Sequence, residues 1–207
     1  MRESIDDLIL EIANCHECLA MDHRKATRDL DKTNLQADVL IISQALAEKT
    51  FRLSGISFYN VDHQMGNTGI RLEKFLNLFG RTLDYKSSNC AYSTDLVQCY
   101  PGKNHNRKGD RKPTSEEIQR CLPFLKREIE LLNPRLILLM GKKSRDAFWS
   151  FLLKKPLTPF SESVGTVDYY NGVPVMPIQH ASGTNSRFND MLSRQDLIQG
   201  IKKILIE

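Results

Sequence analysis

Cys15-His16-Glu17-Cys18 places two thiols close enough to serve one metal centre, and Cys99 and Cys121 stand further along the chain. A CxxC with two distant cysteines can supply four thiolates, a donor set that suits an iron–sulfur cluster or tetrahedral zinc. The same spacing is equally compatible with five packed apolar thiols, and Cys90, with no evident partner, reads as a packed one. A second chemical feature is Gly102–Lys112, which holds five Lys/Arg and one Asp and thereby the chain's whole formal charge of +4. Lys103 and Arg107 in this loop can meet phosphates, or the loop is simply a solvated surface segment. Gly66-Asn67-Thr68-Gly69 opens an apolar-periodic stretch, and the amides of such a helix start can bind a phosphate.

The elements that must position these residues alternate between strand and helix. Ile5, Leu8, Ile9 and Ile12 form a helical stripe that runs into Cys15. Residues 37–42 form a nearly continuous apolar run, as expected of a strand buried on both faces. Thr68 is expected to cap a helix carrying Ile70, Leu72, Phe75, Leu76 and Phe79. Strands are expected at 91–97, 135–140 and 173–178, the last near a sheet edge because of Pro174 and Pro177. Thr114 and Glu117 have capping-box spacing for a helix through Ile118, Cys121, Leu122, Leu125, Ile129 and Leu132. Gly141–Ser144 turns into a helix through Leu152, and 192–206 closes the chain as another.

Four strands separated by helices predict a parallel sheet covered on both faces, a three-layer α/β/α sandwich. Ligands then bind beyond the carboxyl ends of the strands. With 207 residues, 41% hydrophobic and 26% charged, one globular domain over residues 1–207 is expected. The longest apolar run, Leu136–Met140, is far short of the roughly 20 residues of a membrane helix. The acidic start and the odd cysteine count favour an intracellular, cytoplasmic protein with no membrane partner.

Three stretches resemble the family 4 uracil-DNA glycosylases. Tyr92-Ser93-Thr94-Asp95-Leu96-Val97-Gln98-Cys99-Tyr100-Pro101 is similar to that family's Y-I-T-N-V-V-K-C-R-P-P turn. The segment from Pro113 to Leu125 matches its P-x-x-x-E-I-x-x-C-x-P-F-L helix, and Leu132–Gly141 its L-x-P-K-V-I-V-x-L-G strand. The resemblance runs in order from about Cys15 to the C-terminus. It implies a glycosylase fold around a four-stranded parallel sheet, a monomer acting on DNA, and a 4Fe–4S cluster on Cys15, Cys18, Cys99 and Cys121, with zinc as the lesser alternative. The cluster's implied role is structural, because base hydrolysis transfers no electron.

The resemblance also implies roles for single residues. His180-Ala181-Ser182 is similar to the H-P-S motif whose histidine hydrogen-bonds the departing base at O2. Phe58 resembles the aromatic that stacks on the flipped base. Arg187, in the loop after His180, and Ser182 are the implied DNA contacts there. Two departures stand out. Asp95 replaces the asparagine that reads the base; a carboxylate only accepts hydrogen bonds, so it suits another base or orients a water. The family's G-E-A-P-G is here Ser43-Gln44-Ala45-Leu46-Ala47. Gln44 stands at the glutamate position and Ala45 beside it against the base; lost glycines narrow that wall, and glutamine is a poor general base. The expected function is therefore excision of a deaminated base, uracil first, by hydrolysis of its N-glycosidic bond. The competing expectation is a DNA-binding homologue that keeps fold and cluster but is weakened or inactive. A zinc-stabilised nucleic-acid adaptor without a base pocket is a third.

Overall fold

The computed structural model describes residues 4–18, 37–47, 57–60, 62–104 and 109–206. In it β1 (Val39–Ala45), β2 (Tyr92–Val97), β3 (Leu136–Met140), β4 (Asp168–Tyr170) and β5 (Val173–Ile178) form one sheet of order β2-β1-β3-β5-β4. β2, β1, β3 and β5 are mutually parallel, the four strands expected from the sequence. β4 adds a short antiparallel edge, so β5 is one strand in from the edge despite its prolines. Three residues with no apolar run are too short to announce β4 in the sequence.

Val39, Leu40, Ile41 and Ile42 are all buried because the two faces of β1 feed separate cores. Leu40 and Ile42 pack with Ile5, Leu8, Ile9 and Ile12 of α1 (Ile5–Asn14) and Ile118, Leu122, Leu125 and Ile129 of a long helix, Ser115–Leu132. Val39 and Ile41 pack with Leu72, Phe75 and Leu76 of α2 (Asn67–Asn77), and with Phe188, Met191, Leu197 and Ile201 near the C-terminus. The result is a three-layer α/β/α sandwich.

Local chemistry explains the element boundaries. Ser4 and Asp7 make a capping box at α1, and Thr114 and Glu117 make the expected one at the long helix, α3. α2 departs from expectation: its N-cap is Gly66, two residues before Thr68, and no side chain caps it. α4 (Lys142–Phe148) continues into a π turn over Trp149–Leu153, and α5 (Phe160–Ser163) is a single turn. The expected 192–206 helix is two, α6 (Arg187–Leu192) and α7 (Gln195–Ile206), separated at Ser193 and Arg194.

A buried polar cluster lies inside the first core. Glu128 of α3 is fully buried and accepts from Thr94 Oγ1 at 2.7 Å and Gln98 Nε2 at 3.2 Å. Gln98 also donates to the Asp95 carbonyl at 3.1 Å, so the network holds the end of β2 against α3. Hydrogen bonding from several donors is what makes a buried carboxylate tolerable. Among the described residues no helix is long and apolar enough to cross a membrane.

Candidate active site

β1 precedes β2 on one side and β3 on the other, so the chain switches direction across the sheet at β1. Parallel sheets open a crevice at the carboxyl ends of strands at such a point. A cavity of about 340 Å³ lies there, lined by Ser43 and Ala45 of β1, Ser93 and Asp95 of β2, Met140 of β3, His180 beyond β5, Phe58, and Gly66–Gly69 at the start of α2. It brings together four of the residues singled out in the sequence: His180, Asp95, Phe58 and Ala45. Gln44 is not among its lining residues, although Ser43 and Ala45 on either side are. Side chains alternate along a strand, and that period separates Gln44 from its neighbours.

Asp95 is buried, 7% exposed, and sits beside Ser43 in the β1–β2 register. Ser43 Oγ is itself buried, with no hydrogen-bond partner among the described residues. Where the family pattern has glycine, this chain thus presents an unspent hydroxyl at the cavity wall, next to a carboxylate.

Phe58 has φ 71°, a left-handed conformation that costs a bulky residue about 1–3 kcal/mol and persists only where its surroundings enforce it. The start of α2 does so. Gly66 N–H donates to the Phe58 carbonyl at 2.8 Å, and Gly69 packs so closely that a Cβ there would lie 2.5 Å from Met65 Cγ and 2.8 Å from Phe58 Cβ. Gly69→Ala is therefore expected to cost about 1–3 kcal/mol and to displace the Phe58 ring. Thermal melting reads the first effect, and an unchanged melt would contradict this packing.

His180 is held at ring and backbone. The Ser182 amide donates to Nδ1 at 3.1 Å, and Asn185 Nδ2 donates to the His180 carbonyl at 2.9 Å. Because Nδ1 accepts, the neutral ring carries its proton on Nε2, leaving Nε2–H as a donor. The residue reaches solvent, yet its ring is sufficiently surrounded that desolvation lowers its pKa below the ordinary imidazole value. Gly141, at φ 88°, gives the ring its space: a Cβ there would lie 3.1 Å from His180 Cβ and 3.3 Å from Cδ2.

The expected DNA contacts are dispersed. Ser182 lies in the loop beside His180, and Arg187 is exposed at the first residue of α6. Lys103 pairs with Asp110 at 3.3 Å across a short antiparallel bridge. Tyr100 Oη donates to the same carboxylate at 2.8 Å. Arg111 pairs with Glu117 at 2.5 Å, so two of the basic loop's cations are already engaged. Arg107 lies outside the described residues.

The four cysteines of the CxxC set lie on the face of the sheet opposite the cavity. Cys15 caps α1 in an extended conformation; Cys18, Cys99 and Cys121 are buried and belong to the same apolar core. Arg120 Nη1 donates to the Glu17 carbonyl at 2.7 Å, tying the CxxC loop to the turn of α3 that carries Cys121. Burial raises the Cys18 thiol above its ordinary value, a penalty that a bound cation reverses. Among the described residues no three His, Cys, Asp or Glu side chains stand close enough to hold a single ion. A zinc ion needs its ligands to converge on one atom, whereas a four-iron cluster takes one thiolate per iron. Four thiolates are a donor set that suits either group.

The sequence alone missed three contributors: Ser43 as a hydrogen-bonding wall, Gly69 as the support of Phe58, and Arg71. Arg71 on α2 donates to the carbonyls of Ser182 and, at 2.7 Å, Asn185, and to Asn189 Oδ1 at 2.9 Å. These contacts span more than a hundred residues and leave no local signal.

The fold and cavity define an α/β protein with a pocket at its topological switch point, lined by a carboxylate, an aromatic ring and a neutral imidazole donor. The chain belongs to the uracil DNA glycosylase superfamily, whose family model matches residues 30–202. It is similar to the Type-4 uracil-DNA glycosylase of Saccharolobus solfataricus, 28% identical over 166 residues that cover 80% of this chain and 66% of that protein. The Type-4 uracil-DNA glycosylase of Archaeoglobus fulgidus is 27% identical over 141 residues, 68% of this chain and 61% of that one. The Type-5 uracil-DNA glycosylase of Pyrobaculum aerophilum is 32% identical over 97 residues, 46% of this chain and 38% of that one. The chain therefore spans less than two thirds of the length of these relatives. A crystal structure of wild-type UNG from Nitratifractor salsuginis aligns over 99% of this chain and 98% of its own, at 12% identity and TM-score 0.46.

Proposed function

We propose that this chain is a DNA repair glycosylase that takes a deaminated base, uracil first, out of the DNA stack and hydrolyses its N-glycosidic bond. The observation that carries the reading is the convergence of Phe58, Asp95 and Nε2-protonated His180 on one cavity, in a chain of this superfamily. The flipped base stacks on Phe58. As the sugar–base bond breaks, its electron pair moves onto the base, and His180 Nε2–H donates to the oxygen where that charge develops. Water adds to the oxocarbenium-like sugar carbon and releases a proton. DNA phosphates are met by Ser182 and Arg187 in the segment that follows His180 and by Lys103 and Arg107 in the basic loop. A 4Fe–4S cluster on Cys15, Cys18, Cys99 and Cys121 joins α1, the end of β2 and α3.

Asp95 sets the chemistry apart. Its carboxylate can accept the N3–H of uracil but cannot donate to O4, and it favours bases that present an amino group. In otherwise identical oligonucleotides, Asp95→Asn is expected to raise uracil release relative to cytosine, the one of these bases with an amino donor. Hypoxanthine, which like uracil pairs a carbonyl with a ring N–H, should move with uracil. Identical base profiles for the two proteins would remove Asp95 from base reading.

A second reading is a DNA-binding homologue without turnover. It is favoured by the first motif, since among the described residues neither Gln44 nor a glutamate lines the cavity. Formation of abasic sites in a uracil-containing oligonucleotide separates the two.

A further inference from the structure

The loop that follows β5 carries His180, and it is contacted by a residue more than a hundred positions earlier in the chain. Ser182 supplies the amide that donates to His180 Nδ1, and its carbonyl is taken by Arg71 Nη1. Asn185 supplies the side-chain amide that holds the His180 carbonyl and also donates to Gln179 Oε1 at 3.2 Å; its own carbonyl is taken by Arg71 Nη2 at 2.7 Å. The guanidinium then reaches Asn189 Oδ1 at 2.9 Å and lies 5.1 Å from the centre of the Phe188 ring. Both residues that hold His180 are thus gripped by one side chain. That side chain starts from α2, whose first turn lines the cavity and supports Phe58.

We propose that Arg71 is a positioning residue that clamps the Ser182–Asn189 segment in the one conformation that presents His180 to the cavity as its Nε2–H tautomer. The geometry suits arginine specifically. A planar fork satisfies two carbonyls and an amide oxygen in divergent directions while its face lies on Phe188, whereas a lysine ammonium is a point charge that can meet them only singly. No carboxylate accepts from Arg71 in these contacts, so the arrangement organises backbone instead of neutralising charge. Loss of the clamp frees the Ser182 peptide, and with it the hydrogen bond that selects the tautomer.

The catalytic consequence rests on the glycosylase reading, but the clamp itself can be read without turnover. The imidazole nitrogens of ¹⁵N-labelled protein report the His180 tautomer directly, with the His180 signals assigned by their loss in His180→Ala. Wild type is expected to show a single Nε2–H ring, and Arg71→Gln an averaged or altered ring in a protein that still melts cooperatively. Single-turnover base release should fall about tenfold or more, with the DNA dissociation constant within about twofold, because misorientation affects the reacting geometry before it affects docking. Arg71→Lys keeps the charge and most of the stem, and serves where Arg71→Gln does not fold; it too should lose the single tautomer. A folded Arg71→Gln or Arg71→Lys protein with the wild-type ring spectrum overturns the proposal, whatever its activity. Absence of base release in wild type counts against the glycosylase reading alone and leaves the ring spectrum to decide Arg71.

Discussion

His180→Ala is expected to slow base release by about 10²–10³-fold while DNA affinity changes little, because it removes a hydrogen-bond donor aimed at charge that forms only in the transition state. The described lining residues also offer hydroxyls at Ser43 and Ser93, an amide at Asn67, a carboxylate at Asp95 and a ring face at Phe58, and His180 is the one imidazole among them. The pH dependence follows from the same geometry. Desolvation lowers the His180 pKa, and the Ser182 amide on Nδ1 leaves no acceptor for a second ring proton. The neutral ring is the competent form, so release should be level above the ordinary imidazole value and fall only as pH drops through the depressed value. Stability has the same sign. The native state binds fewer protons than the unfolded chain, so this contribution is complete above the unfolded histidine value and is lost as pH falls toward the folded one. Rate measurements across acid pH in wild type and His180→Ala check both; a mutant that keeps full activity removes His180 from the chemistry.

The second large effect concerns the cysteines. Cys121→Ser is expected to abolish the visible absorbance of the cluster and to cost about 4 kcal/mol or more, which lowers the melting temperature by roughly 8–16 °C in a chain of this size. Cys121 is buried on α3 in the core that also holds Cys18, Cys99 and the apolar face of α1. Losing one ligand there therefore uncouples the CxxC loop, the end of β2 and α3 together. Cys90→Ser is the control. Its thiol lies elsewhere, donates to its neighbour's carbonyl, and is pushed up to about 12 by burial, as befits an unreactive packed group. Iron content, absorbance and melting of the two variants decide the matter; a Cys121→Ser protein with wild-type colour and stability would refute the ligand assignment.

The sheet was legible because β1, β3 and β5 are buried on both faces and so read as short apolar runs, and because capping boxes such as Thr114–Glu117 are local. The cavity was legible in part for a related reason: ligands gather after parallel strands, which points to Asp95 and His180. What escaped depends on geometry that periodicity cannot carry. Gln44 and Ser43 differ by one position on a strand, yet only Ser43 lines the cavity. Glu128 falls beside the apolar stripe of α3, where a carboxylate is ordinarily solvated, and donors such as Thr94 on β2 and Gln98 just after it, distant in sequence, accompany its burial. The strain at Phe58 shows in a backbone angle, not in a residue type. The charge of the Gly102–Lys112 loop was countable, but its use was not, since the Lys103–Asp110 and Arg111–Glu117 pairs depend on how the loop and α3 meet.

The most direct test is single-turnover base release by the wild-type protein from an oligonucleotide with one uracil, in parallel with oligonucleotides carrying other deaminated bases. Abasic sites should accumulate with at least one of these bases and should fail to do so with His180→Ala prepared alongside. A folded, cluster-loaded wild-type protein that binds the same DNA and releases none of them would contradict the enzyme and establish the binding module in its place.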